Sequence, residues 1–221
     1  MLPDQFYMSG LGIIIYLILY LAPLTVFFWS LWRNTKLPLI GIVPIGLVLA
    51  TLPLWDVYMT SLDASRLCKE QGGLHVYKTA DANSFGGGGN IVKLSKHGFK
   101  YAEAGYRGKL IRRMVVEGEL VMHEVKAIST RYSDADRGYQ IINNKIGSNA
   151  IQMLDLQTGD VLGELVTFNI HPGWFDSLAL GWAGKILWHC GNEIPAGRAE
   201  PLNTDDLILA TLKPKGSEVS Q

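Results

Sequence analysis

Between Gly10 and Trp32 the chain carries no charged side chain, and nothing else in it limits the possible folds so sharply. An α-helix rises about 1.5 Å per residue, so this stretch is long enough to cross a hydrocarbon layer of about 30 Å. A second uncharged stretch runs from Leu37 to Trp55. Pro23, Pro38, Pro44 and Pro53 would break soluble helices, but membrane spans tolerate proline because neighbouring groups re-satisfy the freed carbonyls. Tyr7, Trp29, Trp32, Trp55 and Tyr58 stand at the ends of the two stretches, where an aromatic belt meets the headgroups. A cleaved signal peptide fits poorly. No Lys or Arg precedes Arg33, and the apolar run exceeds the usual h-region.

The expectation is a tail over 1–9 and a transmembrane hairpin over 10–55, with spans of 10–32 and 37–55. Only Arg33-Asn34-Thr35-Lys36 joins the spans. Cytoplasmic loops are rich in Lys and Arg, so Arg33 and Lys36 are the topology-determining residues and place the turn inside. Both the N-terminus and everything after the second span then lie extracytoplasmically. Arg66 and Lys69 pull the other way; Asp56, Asp63 and Glu70 beside them count for little in this rule.

Beyond the hairpin the material changes. The chain has 20 basic and 20 acidic residues, and setting aside Arg33, Lys36 and Asp4 leaves the remainder close to neutral. A nucleic-acid binder needs a basic excess to neutralise phosphates, and none is present. Residues 56–72 suit a juxtamembrane helix, with Met59, Leu62 and Arg66 along one side and Gly72-Gly73 as its stop. Residues 73–200 read as a β-rich domain. Leu74–Thr79, Leu110–Val116, Glu119–Ala127, Ala150–Leu156 and Val161–Ile170 are rich in strand formers, and several alternate with the period of two that half-buried strands require. Glu117-Gly118, Asn143-Asn144 and Gln157-Thr158-Gly159-Asp160 supply turns, the last within a hairpin from Leu154 to Leu162. The fold class expected is membrane-anchored α+β: a two-helix hairpin, then a mainly antiparallel sheet, small sandwich or open barrel. No βαβ alternation is visible. Asp176–His189 predicts a short apolar helix near the end of the domain, either buried across the sheet or lying at the membrane interface. Residues 201–221 read as a tail with one apolar run, Leu207–Leu212, and disorder from Pro214 onward.

The residues able to carry chemistry are few. Cys68 and Cys190 are the only cysteines. In an oxidising compartment they would bond and tie the start of the domain to its end; in the cytoplasm they would be two buried thiols. His189 beside Cys190 does not make a reactive pair, because neighbours on a strand face opposite ways. His75, His97, His123, His171 and His189 show no metal-ligand spacing, so no metal and no cofactor is expected. Phe85-Gly86-Gly87-Gly88-Gly89-Asn90 lacks the Gly-Lys-Ser/Thr ending of a phosphate loop and reads as a flexible hairpin loop leading into another strand. Asp134-Ala135-Asp136 and Glu117-Gly118-Glu119 pair carboxylates, as glycosidases do, but in turn-like contexts. No Gly-x-Ser-x-Gly elbow occurs. His171-Pro172-Gly173-Trp174-Phe175 forms either a ligand-facing turn or a corner that plugs Trp174 into the core.

No catalytic residue is assigned. The function expected is a membrane-tethered accessory or binding protein whose β domain contacts another envelope or membrane protein. Trp174, Phe175, Trp182 and Trp188 offer a surface, and the lipid bilayer is the other partner. The alternatives are a membrane-surface enzyme, drawing on His171, His123 or Asp134, and a small subunit of a larger membrane complex. Small residues of the hairpin (Gly41, Gly46 and Ala50) would admit another helix at close range.

Overall fold

The computed structural model describes residues 10–35, 39–171, 188–194 and 200–214. They form two compact units, one drawn from Met1–Glu70, Ile141–Gly147 and Phe168–His189, the other from Gln71–Gln140, Ser148–Thr167 and Cys190–Gln221.

The first unit starts with α1 (Gly10–Ile15), a π-helical turn (Tyr16–Leu21) and α2 (Ala22–Thr35) in succession. The wide turn lies directly before Pro23, which has no N–H to give and whose ring crowds the carbonyl four residues back. The chain closes the turn by bonding Ala22 N–H to Leu17 O. Ile13–Thr35 is one helix long and apolar enough to cross a membrane, with 6 % of its most apolar stretch buried, whereas a core helix of a soluble domain is mostly covered.

α3 (Leu39–Gln71) runs without interruption through the region read as a second span and a separate juxtamembrane helix. It bends by 49° between Gly41–Leu52 and Leu54–Gln71, at Pro53. Tyr16 and Tyr20 donate their hydroxyls to the carbonyls of Ala50 (2.6 Å) and Leu49 (2.7 Å) on α3, and the Phe28 ring lies against Gly46. The buried side of the second half of α3 is Val57, Thr60, Ser61 and Ala64, at the i, i+3, i+4, i+7 spacing of one helical face. Met59 lies off that stripe and is exposed. Asp56 pairs with Lys145 of the same unit.

The second unit is α+β with a mainly antiparallel sheet. Its strands are β1 (Gly73–Val76), β2 (Ala80–Asp81), β3 (Ser84–Gly86), β4 (Tyr101–Tyr106), β5 (Lys109–Val116), β6 (Glu119–Val125), β7 (Tyr132–Asp136), β8 (Gln140–Ile141), β9 (Ile146–Asp155), β10 (Val161–Ile170), β11 (Trp188–Cys190) and β12 (Leu212–Lys213). β8, β9, β10 and β11 run on into segments of the first unit. The helices are α4 (Ile91–Ser95) and α5 (Thr204–Thr211). The large sheet has the order β1-β10-β9-β7-β3-β4-β5-β6, with β11 on β10 and β8 on β9; β2 and β12 form a small parallel pair.

Other sequence expectations need correction. The glycine run leads into α4, not into a strand: Asn90 accepts the Val92 and Lys93 N–H groups and caps a helix. β3-α4-β4 is consequently a parallel crossover, and β3 also lies parallel to β7. The sheet therefore holds a small βαβ unit at its centre, flanked by antiparallel pairs. Finally, Trp188 and His189, read as the end of an apolar helix, form with Cys190 a strand on β10; residues 172–187 lie outside the described chain.

Residues 203–213, read as tail, form α5 and β12. Asn203 and Asp206 close a reciprocal capping box, and Leu207, Ile208 and Leu212 enter the core with Phe85, Leu94, Phe99 and Met153.

Candidate functional site

Four glycines in succession look like a phosphate cradle, and the geometry shows why they are there instead. Cβ atoms at Gly86, Gly87 and Gly89 would fall 2.5 Å from Ser133 Oγ, 1.5 Å from Asp134 Oδ1 and 2.4 Å from Ile208 Cδ1. Gly87 also has φ of +112°, a conformation that side chains resist. The loop is a close approach of backbone to β7 and α5, not a flexible hairpin end. Three of its N–H groups are engaged. Gly87 donates to Glu103 O (2.8 Å), Gly88 to Asp134 Oδ2 (2.8 Å) and Asn90 to Asp205 Oδ1 (2.7 Å).

Asp134 is the carboxylate whose surroundings are least settled. Burial raises its pKa, against the Gly88 N–H and the positive charge of Arg113, both of which lower it. Arg113 gives Nη2 to Gly87 O (2.7 Å), while its buried Nε has no partner. Thr130 Oγ1 is likewise buried and unpaired.

Glu103 on β4 presents the opposite case. Its carboxylate is fully buried, and it accepts from Arg112 (2.9 and 2.6 Å), the Ser129 N–H and hydroxyl (2.6 and 2.9 Å) and the Thr130 N–H (3.0 Å). Burial works to raise its pKa, and these donors together lower it. Every acceptor position is used, so Glu103 clasps the 129–130 loop to the sheet and leaves nothing for a ligand.

The β5–β6 ribbon forms one end of the large sheet. Two two-residue turns, Arg107-Gly108 and Glu117-Gly118, build it, each with φ positive at both residues as type I′ hairpins demand. Residues facing each other across strands share a face. One face shows Ile111, Arg113 and Val115 beside Glu124, Met122 and Leu120; the other shows Leu110, Arg112, Met114 and Val116 beside Val125, His123, Val121 and Glu119. Both faces are therefore partly apolar. Leu120, Met122 and Val116 are 44, 55 and 47 % exposed. β6 ends the sheet, and among the described strands none pairs with its outer edge.

In the first unit an apolar groove of about 320 Å³ lies among Leu21, Leu24, Phe28, Trp29, Ile42 and Gly46. Among the described residues no group of three or more His, Cys, Asp or Glu is placed to hold a metal ion.

The residues singled out from sequence separate as follows. Cys68 and Cys190, the two cysteines of the chain, are bonded to each other. Arg33 stacks over the Trp29 ring at 5.5 Å; Lys36, Trp174, Phe175 and Trp182 lie outside the described residues. Trp188 is half-buried on β11, and His189 and Cys190 there point to opposite sides, one exposed and one buried. His123 lies on exposed β6 and Asp134 on β7, with β3, β4 and β5 between those strands in the sheet. The ribbon edge was missed because strand order depends on pairings distant in sequence. Comparison with protein-family models, with curated proteins and with solved structures finds no match to this chain.

Proposed function

We propose that this chain is a membrane-tethered accessory protein whose extracytoplasmic β domain binds another envelope or membrane protein through the β5–β6 ribbon. The ribbon carries the reading. A two-faced apolar strand pair with an open edge exposes surface that soluble monomers normally cover, charge or shorten.

In this reading the Ile13–Thr35 helix and the inner half of α3 cross the bilayer as a hairpin, supported by the tyrosine hydroxyls that bridge them. Arg33 at the turn favours a cytoplasmic position for it. The Cys68–Cys190 bond supports an oxidising compartment for the domain, since cytosolic thiols are kept reduced. The apolar groove beside Gly46 favours a second reading, a small subunit whose helices pack against a larger membrane complex.

The test is labelling of the two cysteines by a bulky impermeant maleimide, in intact and permeabilised cells, after denaturation, with and without an impermeant reductant. Labelling from outside that requires reduction supports the outward domain. Labelling that requires permeabilisation but no reduction overturns it. A photo-crosslinker at Leu120, compared with one at Tyr139, then asks whether the ribbon meets a membrane partner. Equal yields from both positions would remove the ribbon from the proposal.

A further inference from the structure

We propose that the outer edge of β6 pairs antiparallel with β6 of a second copy of this chain, making one sheet across a two-fold axis at Met122. This rests on reading the ribbon as a docking surface, and it names the occupant of its edge.

The ladder fixes the parity. Val116 and Glu119 flank a two-residue turn and so form a hydrogen-bonded pair, and such pairs alternate along an antiparallel ladder. Val121, His123 and Val125 therefore turn their backbone groups toward β5. Leu120, Met122 and Glu124 turn theirs outward, a row of donors and acceptors at the end of the sheet.

Charge and length then select the partner. The β5–β6 pairing is continuous over all of β6 with no bulge, and β6 contains neither Pro nor Lys; its two charges are Glu119 beside the turn and Glu124, which pairs with Lys109 of β5 at 2.7 Å. An antiparallel copy that overlaps the whole strand places Met122 opposite Met122 of the second copy and Leu120 opposite its Glu124. Val121 then meets His123, and Glu119 meets Val125. In this register no two carboxylates face each other, and His123 lies diagonal to Glu119 of the second copy, within reach of an attractive pair. All outward groups meet outward groups, as the ladder requires. The interface is isologous and closes, giving a dimer and not a fibre.

The experiment measures the mass of the full chain in mild detergent by sedimentation equilibrium, with detergent density-matched. The wild type is expected to be a reversible dimer. Leu120→Glu sets a carboxylate against Glu124 twice per dimer and should weaken the dissociation constant about tenfold. Adding Glu124→Lys to that variant should restore it. Met122→Pro removes one outward N–H and none directed at β5, and should give a monomer with the circular dichroism of the wild type. Met122→Cys should form an interchain disulfide on mild oxidation, since facing Cα atoms at about 5.5 Å suit the bond. A monomeric wild type overturns the proposal, as does a dimer that Leu120→Glu and Met122→Pro leave intact. A monomer whose Leu120 photo-crosslinker still captures a membrane protein sinks the self-pairing alone; a monomer with no selective crosslink at Leu120 sinks the ribbon reading with it.

Discussion

Gly87 is held at φ +112° with its α-carbon against the Asp134 carboxylate, and that single contact says more about the loop than its composition does. Gly87→Ala adds a methyl where an oxygen already sits and should cost more than about 2 kcal/mol in an unfolding titration. Gly89→Ala meets only the tip of Ile208 and the Phe85 and Leu94 side chains, which have more freedom to yield, so it should cost less. Asp134 and Asp155 should respond to pH in opposite senses. Arg131 holds the Asp155 carboxyl down to about 2 with three bonds of 2.6 to 3.1 Å. The stability from this lowered group is complete above its unfolded pKa and is lost as pH falls from about 4 toward about 2. Burial raises Asp134, so the folded chain holds its proton more tightly than the unfolded one. Its contribution is therefore full at acid pH and is lost as pH rises through the raised value. Asp134→Asn keeps an acceptor for the Gly88 N–H and should raise the melting midpoint at pH 7. That gain should vanish near pH 3, where the wild-type carboxyl is neutral too. A variant no more stable at pH 7 would mean that Arg113 compensates the buried charge fully.

At the scale of elements, two turns and one cap are open to measurement. Arg107 and Glu117 adopt φ of 50° and 51°, which asparagine accepts more readily than long side chains do. Arg107→Asn and Glu117→Asn should each stabilise the ribbon by about 0.5 to 1 kcal/mol, and additively, because the turns lie at opposite ends of β5. Asn203→Ala removes the cap of α5 and should cost about 1 kcal/mol. The loss should appear as a lower global midpoint, not as local fraying, because Leu207 and Ile208 belong to the main core. Hydrogen exchange across α5 distinguishes the two results.

For the whole molecule the covalent fact is the Cys68–Cys190 bond. Closing so long a loop reduces the entropy of the unfolded chain by an amount worth about 4 to 5 kcal/mol, less any strain in the native state. Reduction, or the double variant Cys68→Ser/Cys190→Ser, should lower the melting midpoint sharply. An unchanged midpoint would mean that the reduced unfolded chain is already compact. The sheet is continuous from β1 to β6, so in the monomeric Met122→Pro variant the remaining outward amides of β6 are expected to exchange fast and the β5-facing amides slowly, whereas pairing with a second copy should slow the outward ones in the wild type. The alternation tests the parity on which the edge pairing depends.

Much of this was legible in the linear chain. The uncharged stretch from Gly10 to Trp32 gave the apolar helix, because a run of that length without charge has few other uses. The period-two segments gave β5, β6 and β10 nearly to the residue, and Gly72-Gly73 gave the end of α3, because these signals are local. Tertiary structure decided the rest. The glycine run reads as a loose loop until Asp134, Ser133 and Ile208, all distant in sequence, are seen to fill the space of its missing side chains. Asn90 caps a helix only because Asp205 and Glu103 hold the loop before it, and α5 looks like tail until its apolar side finds the core. Which strand would be left at the edge could not be read at all. Strand order is set by long-range pairings, and the alternation of β6 is the same whether one neighbour covers it or two.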